Sequence, residues 1–256
     1  LDCEWRLHND DSSNFHDRFT IAVKCGARKL QIINKRGYDY FRALPGAPIE
    51  LRYPNFSETG FTARLLRVSG EVLELDADIP EQKGPCFLVW DRTYGTDNVI
   101  MKGCRFIDTA WRNIFSPSNL TIEDCLFRRT FGAPCQFIAD YRANLWCEGL
   151  GATNIVVRNC NFEDTAVQDP HFAQITTLCV TPPNWEIPPP PKGFVGGDLL
   201  IEKCTFTRPR GKVLELRTGK NVTFRNCTID LRGVRDALDC AGELDTRGAE
   251  NVTVEN

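Results

Sequence analysis

Histidine is scarce in this 256-residue chain, and the three residues present, His8, His16 and His171, are spaced too widely for a compact helical metal motif. No metal or cofactor is expected on that evidence. Long apolar runs are also missing. Nothing approaches the roughly 20 consecutive residues a membrane span requires, so no span is expected. There is no block of lysine and arginine, and the net charge is -3, which removes the usual electrostatic footprint for nucleic acid. Neither an initiator methionine nor a signal sequence opens the chain at Leu1-Asp-Cys-Glu-Trp5. That start, with a stop inside a repeat, is expected of a piece of a longer protein. With 42% hydrophobic and 25% charged residues, the composition is that of a soluble globular protein.

What is present is a returning phrase. It reads Asn98-Val-Ile-Met-Lys-Gly-Cys104-Arg-Phe106, Asn119-Leu-Thr-Ile-Glu-Asp-Cys125-Leu-Phe127 and Asn154-Ile-Val-Val-Arg-Asn-Cys160-Asn-Phe162. It returns as Asp198-Leu-Leu-Ile-Glu-Lys-Cys204-Thr-Phe206 and Asn221-Val-Thr-Phe-Arg-Asn-Cys227-Thr-Ile229, and is cut off as Asn251-Val-Thr-Val-Glu-Asn256. Each copy gives an alternating strand, a polar corner and a second short strand. One such unit cannot bury its apolar face alone, so the units must stack. The fold class expected is all-β, a right-handed parallel β-helix. The recurrent cysteines, Cys104, Cys125, Cys160, Cys204 and Cys227, read as a ladder of buried thiols. A disulfide framework is the rival reading of the twelve cysteines.

Copies start 21, 35, 44, 23 and 30 residues apart. A bare coil needs about 20–25 residues, so the excess is expected to leave the stack as long loops at 128–153 and 163–197. The second contains Pro182-Pro-Asn-Trp-Glu-Ile-Pro188-Pro-Pro-Pro191, which has few backbone donors and should be extended and rigid. Both loops flank the same coils, and a binding groove is expected there.

Residues 18–86 do not follow the phrase. Five short strands, Phe19–Lys24, Lys29–Ile33, Ile49–Arg52, Phe61–Leu66 and Glu71–Leu75, are separated by turn signals at Gly37, Pro45-Gly46, Pro54-Asn55 and Ser69-Gly70. A small inserted barrel or sandwich is expected, with irregular coils as the alternative. Residues 1–17 would then end an earlier coil, and 87–256 would be the stack resumed at Phe87-Leu-Val-Trp90.

At that junction stands His8-Asn9-Asp10-Asp11-Ser-Ser-Asn14-Phe-His16-Asp17. Glycoside hydrolysis needs one protonated carboxyl and one ionised carboxylate, and closely spaced acids push one another's pKa values apart. Asp10 and Asp11 are thus catalytic candidates, provided the backbone bends between them. The alternatives are an Asx-rich turn capping a coil and an unspecific calcium site from Asp10, Asp11 and Asp17. Along the middle coils lie Arg112, Arg142, Trp146 and Glu148; aromatic rings beside arginine and carboxylate suit a sugar subsite. Arg112 reads more readily as a solvated or salt-bridged residue, and Trp146 equally as a core plug. His171, near Asp169, reads as a loop histidine and Arg217 as structural.

Taken in order, the Asp10-Asp11-Ser-Ser-Asn14-Phe15-His16 phrase, the small β insertion, Arg112-Asn-Ile, Ala133-Pro-Cys-Gln-Phe-Ile-Ala-Asp140 and Trp146-Cys-Glu-Gly149 resemble the bacterial α-1,3-galactosidases of glycoside hydrolase family 110. The resemblance implies a right-handed parallel β-helix with barrel insertions, and an exo-acting inverting hydrolase removing terminal α-1,3-linked galactose. It implies catalytic roles for Asp10 and Asp11, with a further aspartate from a coil before Leu1. Asn14, His16, Arg112, Arg142, Trp146 and Glu148 would bind substrate. The partner implied is an oligosaccharide or glycan, and the location secreted, periplasmic or cell-surface. The chain departs from the family at Asp17, where glycine is usual, and at Ser12-Ser13. A pectin-type hydrolase or lyase and a non-catalytic carbohydrate-binding β-helix remain the rival functions, because one scaffold hosts them all.

Overall fold

The computed structural model describes residues 1–7, 9–17, 19–34, 41–142, 145–166 and 173–256. Every regular element among them is a β-strand. The stack is a parallel β-helix whose coils each contribute to three sheets. The first runs through Glu4–Arg6, Arg105–Ile107, Leu126–Arg128, Asn161–Glu163, Thr205–Thr207 and Thr228–Asp230. The third runs through Ile100–Lys102, Leu120–Glu123, Thr153–Arg158, Gly197–Glu202, Lys220–Arg225 and Glu250–Glu255. These two sheets are the two halves of the repeated phrase.

The second sheet is not in the phrase. It consists of Ser13–Phe15, Asn113–Phe115, Cys135–Arg142, Ile175–Val180, Leu214–Leu216 and Leu244–Asp245. The segments expected to leave the stack as loops therefore hold strands of it, and 128–153 also holds Trp146–Glu148, which folds back antiparallel on Cys135–Arg142. The excess residues widen a sheet as well as forming loops.

Register explains the phrase residue by residue. The leading Asn or Asp sits at a corner with positive φ, from 50° at Asp198 to 64° at Asn98. Asn and Asp tolerate that left-handed conformation best after glycine. Their side chains also bond coil to coil: Asn119 to Asn98 at 3.1 Å, Asn154 to Asn119 at 2.7 Å and Asn221 to Asp198 at 2.9 Å. The aromatic two residues after each cysteine stacks on its counterpart. Trp5, Phe106, Phe127, Phe162 and Phe206 form one column with ring centroids 4.7–5.1 Å apart. Cys104, Cys125, Cys160 and Cys204 are buried beside it. Each of these thiols faces backbone carbonyls, and every one of the twelve cysteines is free, which removes the disulfide framework.

The insertion is a closed six-stranded barrel of Phe19–Gly26, Lys29–Ile32, Val72–Leu75, Glu58–Ser69, Pro48–Arg52 and Phe87–Asp91. The last strand, expected to resume the stack, instead pairs antiparallel with both Phe19–Gly26 and Pro48–Arg52 and closes the barrel. Its five residues are all buried, Phe87 and Val89 in the barrel interior and Leu88 and Trp90 against the stack. The barrel and stack share a core at Phe19, Phe56 and Tyr141, whose rings meet edge to face, and Tyr141 Oη donates to Pro54 O at 2.7 Å. Among the described residues no helix is long and apolar enough to cross a membrane.

Truncating a ring inside the aromatic column removes a stacking partner from the ring on either side of it, here Phe127 and Phe206. Phe162→Ala is expected to cost about 3–5 kcal/mol in urea unfolding. A loss under about 1 kcal/mol would mean that the column does not carry the core.

Candidate active site

The second sheet presents the site because its strands alternate between core and outer face. Phe15, Phe115 and Phe137 point inward, with ring centroids 5.9 Å apart. Asn14, one position earlier, is exposed on the outer face. In Cys135–Arg142, Phe137, Ala139 and Tyr141 enter the core, which turns Asp140 and Arg142 outward. Antiparallel pairing sets Glu148 opposite Asp140 and Trp146 opposite Arg142, so the four share that outer face.

Contacts then link strands from different coils. Arg112 Nε donates to Asp11 Oδ1 at 3.3 Å, and Asn14 Nδ2 donates to Glu148 Oε1 at 3.4 Å. His16 Nε2 lies 4.0 Å from the same Glu148 oxygen. The guanidinium of Arg142 lies 5.1 Å from the centroid of the Trp146 ring. Gly149 fixes where Glu148 ends up. It has φ +73°, and a Cβ there would collide with Ser116 Oγ, which itself donates to Ile138 O at 2.6 Å. Gly149 N donates to Asp17 O at 3.1 Å, tying the hairpin to the segment after Ser13–Phe15 that carries His16.

The carboxyls sit in unequal environments. Burial pushes the pKa of Asp140 up to about 6, the Trp146 indole opposes this, and the Glu148 charge adds to it. Asp140 is 5% exposed, and its Oδ1 and Trp146 Nε1 are buried without a hydrogen bond of normal geometry. Burial also raises Asp11, with Arg112 opposing and the charges of Asp10 and Glu148 reinforcing. Glu148 and Arg112 thus act on both Asp11 and Asp140, which makes the three acids one cluster.

Among the residues singled out from sequence, Asp11, Asn14, His16, Arg112 and Glu148 are joined by these contacts, and Arg142 and Trp146 stand beside Asp140. Asp10 is different. It is exposed, and its Oδ1 accepts the amide of Asp11 at 2.8 Å, one residue on and not the two residues on of an Asx-turn. Asp17 is turned away from the cluster, 4% exposed, with Oδ1 accepting Thr96 N at 2.6 Å and Thr96 Oγ1 at 2.8 Å. The calcium grouping of Asp10, Asp11 and Asp17 is therefore not formed, and no metal-holding group of three occurs among the described residues. Trp146 is outside the core that its neighbour Cys147 enters. Arg217 pairs with Glu215 in its own coil. His8, Asn144, Asp169 and His171 lie outside the described residues. Asp140 was missed as a site residue. Its signal is a lone acid ending the otherwise uncharged run Cys135-Gln-Phe-Ile-Ala139.

No known family model matches the chain, and no characterised protein matches it by sequence. Among solved structures it is similar to the tailspike protein gp49 of Pseudomonas phage LKA1, at 13% identity over 84% of this chain and 42% of that one, with a TM-score of 0.25. It is also similar to the Gp54 tailspike of Acinetobacter baumannii bacteriophage AP22, solved in complex with a capsular saccharide, at 10% identity over 82% and 41%, with a TM-score of 0.24. The chain spans about two fifths of the length of each tailspike. Likeness this distant says nothing about the site, and the parallel β-helix stands on the strand pairing described above.

Asp140 holds its proton more tightly folded, at about 6, than at its ordinary 3.8. The folded state therefore binds more protons between those values, and stability falls as pH rises through them. The shift corresponds to at most about 3 kcal/mol. Asp140→Asn should lose less stability than the parent between about pH 4 and about pH 7 in urea titrations. Equal losses would show that the Asp140 pKa is not raised.

Proposed function

We propose that this chain is a glycoside hydrolase acting on a glycan that ends in α-1,3-linked galactose. Galactose specificity, exo action and inversion rest on the resemblance carried by Asp10–His16 and Trp146–Gly149. Hydrolysis rests on one observation: Asp140, raised to about 6 by burial, faces Glu148 in a cluster that also holds Asp11. A carboxyl in that range keeps its proton up to about pH 6, where an ordinary aspartate has lost it, as a general acid working there must.

In this reading Asp140 protonates the glycosidic oxygen. Asp11, aligned by Arg112, activates the water, and Asp10 holds the bend that presents Asp11. Inversion requires about 6.5–9.5 Å between acid and base, room for that water. Glu148, held by Asn14 and beside His16, takes galactose hydroxyls, and Arg142 takes others. The Trp146 ring offers an apolar surface to the sugar. This chemistry calls for no cofactor, and a glycan substrate of this kind would be met by a secreted, periplasmic or cell-surface protein.

The test is sugar release from Gal-α-1,3-Gal, Gal-α-1,4-Gal, blood group B trisaccharide and polygalacturonate. Galactose should be released from the α-1,3 substrates alone, and Asp140→Asn and Asp11→Asn should each lower kcat about 10²–10⁴-fold while remaining folded. Because the acid must be protonated, kcat/KM should fall as pH rises through about 6, and Asp140→Asn should lose that limb. Full turnover in a folded D140N protein would overturn the role of Asp140. Release from polygalacturonate instead would point to a pectin-type enzyme, and saccharide binding without any turnover to an adhesive β-helix.

A further inference from the structure

A cavity of about 520 Å³ opens where the barrel meets the stack. That volume lies within the range of small-molecule sites. One wall is His16, the residue whose Nε2 faces Glu148, so the cavity begins where the carboxylate cluster ends. Two acids, Asp17 and Asp91, line it at 4% and 8% exposure. Both are held rigidly: Asp17 by the amide and hydroxyl of Thr96, and Asp91 by the amide of Thr93 at 2.9 Å. The remaining surface is aromatic and basic. Phe41 is half-buried against the barrel core, Arg42 is exposed, and Tyr94 stands on the rim with 70% of its surface in solvent.

These features are unlike those of the stack interior. An aromatic ring left in water beside buried, oriented carboxylates suits a ligand with apolar faces and hydroxyl edges. An acid acceptor bonds a sugar hydroxyl directly, whereas an anionic ligand would meet Asp17 and Asp91 unfavourably. The barrel has another small polar recess between Arg52, Trp90 and Phe194, but there Arg52 and Arg92 are occupied by Glu50. The Arg208–Arg210–Arg235 recess on the outer stack is distant in sequence from every candidate catalytic residue, and Arg208 is already paired with Asp164.

We infer that the junction cavity is the subsite for the second sugar of the glycan, the one that leaves when the terminal galactose is released. The inference rests on the hydrolase reading above. Tyr94 would stack on the ring of that sugar, Arg42 and Asp91 would bond its hydroxyls, and His16 would stand between the two subsites. The barrel then sets which aglycone is accepted, while the stack carries the chemistry.

The experiment compares Gal-α-1,3-Gal with methyl α-galactoside, whose aglycone is a single methyl group. Tyr94→Ala and Arg42→Ala should each lower kcat/KM for the disaccharide about tenfold or more, mainly through KM, and leave methyl α-galactoside unchanged. Equal effects on both substrates, or none on either, would overturn the subsite. Should the parent protein turn over neither, the hydrolase reading fails separately. Titration with Gal-α-1,3-Gal followed by NMR then decides: weakening by Tyr94→Ala keeps the cavity as the site of the second sugar, though not of a leaving group, and binding indifferent to Tyr94, or no binding, removes it.

Discussion

Successive coils pair in parallel and in register, so each side chain sits directly against its counterpart one coil away. Every other feature of the stack follows from that constraint. Identical aromatic rings can stack, identical amides can bond, and identical thiols can pack, which is why one phrase repeats. Identical charges cannot. The last position of the third-sheet strands accordingly runs Lys102, Glu123, Arg158, Glu202, Arg225, Glu255, with the sign alternating at every step. Lys102 and Arg158 both pair with Glu123, and Arg225 pairs with Glu202. Exposed pairs of this kind add little stability one by one. Their weight lies in the order of the coils, because pairing any coil with the one after next would set like charges side by side.

The candidate site forms where the repetition is broken. In the first and third sheets each coil copies the last; in the second, Cys135–Arg142 outgrows its neighbour Asn113–Phe115 and turns back as Trp146–Glu148. The hairpin fills the space beyond the end of the shorter strand and brings Glu148 against Asn14 and His16. The barrel is clamped at the same place, since Asp17 before it is bonded to Thr96 after it. Two departures from the repeat therefore converge on one face, and the acids between them are shielded without entering the core.

The stack was legible in the sequence because its signal is repetition itself, strongest where register forces like onto like. The second sheet was not, because its strands share no pattern: Ser-Asn-Phe, Asn-Ile-Phe, Ile-Thr-Thr-Leu-Cys-Val and Leu-Glu-Leu have only their place in the coil in common. That hid the strands inside segments that length alone assigned to loops. Five of the barrel strands were marked by turn residues on both sides, whereas Phe87–Asp91 looked like a coil strand because it is buried on both faces. The sequence placed Asp10 and Asp11 side by side but not their different environments. The environment of Asp11 follows in part from Arg112, a residue of the next coil, whose Nε donates to its Oδ1. The alternating charge column, by contrast, stands in plain view at the residue two before each cysteine.

The position of Asp140 bears on the choice between the proposed glycan hydrolysis and its rival, a glycan-binding surface. Burying a carboxyl without a normal hydrogen bond on Oδ1 destabilises the fold, and setting Glu148 opposite it adds repulsion. Asparagine would occupy almost the same volume there at lower electrostatic cost. A binding surface needs acceptors for sugar hydroxyls, and an exposed acid or an amide supplies them without that burden. Proton donation is different, because it requires an acid that keeps its proton where an ordinary aspartate has lost it, and burial beside a second carboxylate is how a protein makes one. Strongly shifted acids gather at functional sites for this reason. The arrangement at Asp140 and Glu148 is one that the proposed hydrolysis requires and that simple adhesion does not.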